Sequence, residues 1–206
     1  MLEQRFFYYV IDLLLCMKKL ILIIISCWCI ACSENIKPAI TPEVHEFFPV
    51  KLFLQGQVHE IDSLKLPTRK YTSINKKSDS ILISINEFDS IAKEFFYPDI
   101  NDIAIKKFYK ETSFADQSIP SVTFNYVTSD KGLPLQRMDV IVDPDPVLND
   151  KVKSIYLEKR SFVNDTFIVK KLYWKTNKFF QIISSKQAVG HPATFSEVKV
   201  SWSATD

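Results

Sequence analysis

The chain is poor in the residues that most enzyme signatures need. Glycine occurs only three times in 206 residues, at Gly56, Gly132 and Gly190. A loop that cradles phosphate needs several close glycines so that backbone can approach the anion. The spread of these three excludes nucleotide sites of the P-loop and Rossmann types. Histidine is equally scarce: His45, His59 and His191. A helical metal pair needs ligands four residues apart, but His59 has Gln55 and Ser63 at those positions. No metal and no cofactor is expected. No Gly-x-Ser-x-Gly elbow presents a nucleophile. Charge of one sign is also lacking, since 26 basic residues stand against 24 acidic ones. Without a basic stripe, no nucleic-acid partner is expected.

Cysteine is absent from most of the chain. All four, Cys16, Cys27, Cys29 and Cys32, lie in the first 32 residues. Lys18 and Lys19 are followed by an apolar stretch over residues 20–30 and then by Ala31. A basic segment, an apolar segment and a small residue are the three parts of a secretory signal, in that order. Ile30-Ala31-Cys32 resembles the lipobox of bacterial lipoprotein precursors, with Cys29 where that family has an aliphatic residue. The resemblance implies cleavage between Ala31 and Cys32 and lipidation of the Cys32 sulfur. Ser33 after the cysteine is similar to the outer-membrane sorting pattern of such proteins. The expected home is therefore the cell envelope, at the outer membrane, with Cys32 as the membrane contact.

Met17 is the simpler start of that leader, which makes residues 1–16 an overrun. A continuous span over residues 6–31 would hold Asp12, Lys18 and Lys19, at roughly 2.5–3.5 kcal/mol for each charge near the helix centre. Residues 32–45, polar and with Pro38 and Pro42, read as a tether. Residues 46–206 read as one domain, with residue 118 as a candidate subdivision. From Cys32 onward, removal of Arg5, Lys18 and Lys19 leaves 23 basic residues, and removal of Glu3 and Asp12 leaves 22 acidic ones. A chain of this size buries roughly 70% of its unfolded surface and needs no disulfide.

Periodicity predicts the domain's elements. Pro49 suits a first helical position. Val50, Phe53, Leu54, Val58 and Ile61 recur at helical spacing, so a helix of about 16 residues is expected, ended by Pro67. Strands are expected over 69–74 and 78–85. A second helix follows Asn86 as its cap, with Phe88, Ile91, Ala92, Phe95 and Phe96 on one stripe. Residues 99–117 predict one short helical turn and then extended chain. From Ser121 on, alternation and tight turns predict successive strands. The fold class is α+β: two helices from the N-terminal half packed on a curved, mostly antiparallel sheet or meander.

Phe47-Phe48-Pro49-Val50-Lys51, Asp99-Ile100-Asn101 and residues 151–155 are similar to a family of small uncharacterised envelope lipoproteins of Gram-negative bacteria. Glu87-Phe88 stands where that family has Asp-Trp. The resemblance implies no activity and no catalytic residue.

Asp143, Asp145 and Asp150 offer oxygen atoms to a cation, but their loop lacks the central glycine and closing glutamate of a calcium loop. A strand-ending turn is the expectation. The aromatic residues of the strands are the better lead. Alternation puts Tyr173 and Trp174 on opposite faces, and likewise Phe179 and Phe180. With Trp202 they are the candidate ligand-binding residues. The expected function is a non-enzymatic interaction or ligand-binding domain. The alternatives are a carbohydrate- or lipid-binding module using these aromatics, and a hydrolase whose site has no recognisable motif. An envelope protein or a glycan is the expected partner.

Overall fold

A computed structural model of the chain describes residues 46–74, 77–116, 118–144 and 151–202. They fall within one compact unit, His45–Asp206. Ala31, Cys32, the leader and the tether lie outside the described residues, as do Asp145 and Asp150. Among the described residues, no helix is long and apolar enough to cross a membrane.

Helix α1, Val50–Ser63, begins after Pro49. Its expected stop at Pro67 comes earlier, because Lys65 takes a left-handed backbone with φ of 51°. Leu66 N–H then closes back on the Ile61 carbonyl at 3.1 Å. Strands β1, Thr68–Ile74, and β2, Lys77–Ile83, form a hairpin. Helix α2, Ile85–Ala92, starts two residues earlier than Asn86 predicts. Ser84 is the cap: its extended backbone lets Oγ accept from Glu87 N–H at 3.3 Å. A 3₁₀ turn, Lys93–Phe95, continues α2, and helix α3, Ile103–Lys106, is capped by Asp102.

Seven strands follow: β3, Tyr109–Asp116; β4, Ser121–Thr128; β5, Leu135–Asp143; β6, Lys151–Val163; β7, Thr166–Lys175; β8, Phe179–Ala188; and β9, Thr194–Ser201. Each pairs antiparallel with the next. The hairpin β1–β2 then adds on beyond β9, giving the order β2-β1-β9-β8-β7-β6-β5-β4-β3 in one open sheet. The fold is α+β and dominated by this sheet. The turn between β6 and β7 is Asn164-Asp165, both at positive φ, as a two-residue hairpin turn matched to strand twist requires.

The sheet has one buried face and one open face. The buried face carries Tyr126, Met138, Val140, Ile155, Leu157, Leu172, Trp174, Phe180 and Val200. Phe88 of α2 sets its ring 5.5 Å from both Phe180 and Trp202, and Phe95 lies 5.2 Å from Trp174. Backbone polar groups tie other segments to the same region. Phe48 N–H donates to Tyr126 OH at 3.0 Å, and Asn177 N–H donates to Oε1 of Gln57 in α1 at 3.1 Å. Asn101 Nδ2 donates to the Phe48 carbonyl at 3.3 Å. Two of the three segments that carry the family resemblance are thus in direct contact.

Candidate functional site

Side chains on a strand alternate between faces, so register decides what the open face presents. Directly paired residues trace one row across all nine strands: Thr112, Asn125, Asp139, Tyr156, Tyr173, Gln181, Lys199, Tyr71 and Ser80. At about 4.8 Å per strand the row runs about 38 Å. No large apolar side chain on this face is buried; Tyr71, Tyr156, Tyr173 and Phe179 are half-exposed.

The polar members of the row are held in place. Asn125 Nδ2 donates to Asp139, which is itself buried. Arg137 Nε donates to both carboxylate oxygens of Asp139 at 3.0 Å. The Asp139 carboxylate in turn holds the Arg137 guanidinium above its usual pKa. Burial pushes the neighbouring Tyr156 phenol up. Gln181 Nε2 donates to Glu197 at 2.7 Å. Tyr173 and Phe179 rings lie 5.9 Å apart, and the Lys199 ammonium sits 4.5 Å from the Phe179 ring centre and 5.9 Å from that of Tyr71. Rings and fixed hydrogen-bonding groups therefore share one surface, on which Arg137 is paired with Asp139 and Arg160 with Glu158.

The aromatic residues singled out by alternation divide accordingly. Tyr173 and Phe179 lie on the open face. Trp174 and Phe180 are 0% exposed and Trp202 is 4% exposed, all in the core. These three serve packing and are out of a surface ligand's reach. Sequence reading missed Tyr71, Arg137 and Asp139, whose strands are not joined to that of Tyr173, and it counted Tyr156 among the strand aromatics without placing it beside Tyr173. Alternation within β6 was the one usable signal, since it sets Tyr156 opposite in phase to the core residues Ile155 and Leu157.

A second feature is a groove of about 580 Å³ between α1 and α2, lined by Val58, His59, Asp62, Asp89, Lys93 and Tyr97 among others. Its charged groups are spoken for. Lys93 pairs with Asp89 and Lys65 with Asp62, each at 3.0 Å. His59 Nε2 is 3.5 Å from Ser63 Oγ on an exposed helix surface, longer than the reach of proton transfer. Asp143 pairs with Lys153 at 3.3 Å. Among the described residues, no three His, Cys, Asp or Glu side chains converge as metal ligands.

No model of a known family, no curated protein and no solved structure matches the chain.

Proposed function

We propose that the chain is a lipid-anchored protein of the bacterial envelope, tethered through Cys32, and that its open sheet face binds an extended glycan without catalysing a reaction. In this reading α1 and α2 cover the opposite face, which frees the nine-strand row for a ligand. The observation that carries it is that row. Sugars offer a C–H face that stacks on an aromatic ring and hydroxyls that seek planar amides and carboxylates. Tyr71, Tyr156, Tyr173 and Phe179 supply rings, while Asn125, Asp139 and Gln181 supply polar groups already fixed by neighbours. Preformed sites of this kind lose little freedom on binding. By register the face also carries Arg69, Arg160 and Lys175 beside Arg137, Lys171 and Lys199, against Asp139, Glu158 and Glu197, so an acidic glycan suits it as well as a neutral one.

The test is co-sedimentation with insoluble cell-wall glycan. Wild type is expected in the pellet. Replacing Tyr156 and Tyr173 together by Ala is expected to weaken retention about tenfold or more, at roughly 1 kcal/mol or above per ring. Equal retention of the double variant, or none of the wild type, refutes the glycan reading. The anchor is checked separately by mass spectrometry of the mature protein. An acylated Cys32 at the N-terminus is expected; an unmodified peptide containing Met1 contradicts it.

A further inference from the structure

One end of the sheet differs from the rest. The β1–β2, β8–β9, β6–β7 and β4–β5 turns all lie at it, since Ile74 pairs with Ser196, Thr166 with Ala188, and Arg160 N–H bonds the Pro134 carbonyl. The tips of β6–β7 and β8–β9 are tied together, with Val189 N–H donating to the Asp165 carbonyl at 3.2 Å. This rim exposes Ile74, Phe162, Val163, Phe167, Val189 and Phe195, with Phe162 at 65%, Phe195 at 60% and Val189 at 75%. Phe162, Phe167 and Phe195 point to the open face; Ile74 and Val163 point to the other. Apolar side chains projecting from both faces at a single end are not explained by a ligand or partner laid on one face. They fit a surface into which the end itself dips.

We propose that this hairpin rim is a second membrane contact, which inserts its apolar tips into the interface of a bilayer carrying anionic headgroups. Lys77, Lys131 and Lys186 stand at or beside the tips against Asp130 and Asp165, and Arg160 is paired with Glu158; the remaining cationic excess complements such headgroups. The proposal rests on the anchored reading only for its reach. The 14 residue steps from Cys32 to Glu46 extend at most about 50 Å. The rim lies about 20 Å along β6 from Leu157, in the row of Tyr126, where the chain enters the domain. An anchored chain can therefore bring the rim to the same bilayer.

The test uses an unlipidated chain beginning at Ser33, which keeps the whole core of residues 46–202, so that the rim is read without the anchor. The probe is vesicles of phosphatidylethanolamine and phosphatidylglycerol. Wild type is expected to sediment with them. Phe162→Ser with Phe195→Ser is expected to lose about tenfold or more in partitioning. Phe114→Ser, at another exposed phenylalanine far from the rim, is expected to bind as wild type. Thermal melts of the variants are expected to match wild type, because both rim side chains are exposed. The proposal is overturned if wild type stays in the supernatant, or if the double variant binds equally. It is also overturned if wild type is a dimer that the double variant dissolves, since the rim would then be covered by a second copy.

Discussion

Tyr126 shows how single side chains lock this fold. Its ring is fully buried and lies 5.0 Å from that of Phe47. Its hydroxyl accepts from Phe48 N–H and also bonds Glu111. Tyr126→Phe leaves both partners without their bond, so a loss of about 1–3 kcal/mol is expected in urea unfolding. Burial raises the Tyr126 phenol well above its ordinary pKa, and it pushes Tyr109, whose hydroxyl donates to the Leu135 carbonyl at 2.7 Å, up to about 12. Between pH 10 and 12 the unfolded chain releases these protons while the folded chain keeps them, so stability falls as pH rises through that window. Lys159 acts in the opposite direction. Burial lowers it from 10.5 to about 8, even though its ammonium donates to the Glu94 and Tyr97 carbonyls. The folded state therefore holds fewer protons between pH 8 and 10.5, and stability rises there. Urea midpoints are expected to climb from pH 8 toward 10 and to drop beyond it. A steady fall from pH 8 contradicts the Lys159 part, and a flat profile above 10 contradicts the tyrosine part.

At the scale of elements, local rules placed most helices and strands but not their ends. Alternation in residues 121–142 and 151–202 was strong enough to mark β4 to β9, because each strand has one face in the core and one in water. The start of α2 was misplaced. Asn86 and Ser84 are both good caps, and only the pairing of Ile83 with Thr68 shows that β2 stops in time for Ser84 to serve. Ser84→Ala is expected to cost about 1 kcal/mol and Asn86→Ala little; a larger loss for Asn86→Ala in thermal melts contradicts the assignment. The end of α1 was misplaced for a related reason. A proline announces itself in sequence, but the left-handed turn at Lys65 does not. The sequence of strand β3 reads only as extended chain. Its side chains beyond Tyr109 are mostly exposed on the sheet edge, so no apolar period marks it.

On the scale of the whole molecule, the decisive feature was invisible in sequence. A meander from β3 to β9 follows from consecutive short strands, but the return of β1 to pair with β9 joins residues more than 120 positions apart. No periodicity reports such a pairing. The candidate site inherits this limit. Tyr173 and Phe179 were legible from alternation, whereas the row that puts Tyr71, Lys199, Gln181, Tyr156 and Asp139 beside them exists only once the sheet is assembled. The same assembly removes Trp174, Phe180 and Trp202 from consideration by burying them. The most direct measurement of the central claim is a face-resolved NMR titration of the chain from Ser33 with soluble cell-wall oligosaccharide. Shifts confined to Tyr71, Asn125, Tyr156, Tyr173 and Phe179, with the Trp174 and Trp202 indoles unmoved, are predicted. Shifts centred on His59 and Tyr97 in the groove between α1 and α2, or no shifts at saturating oligosaccharide, contradict it.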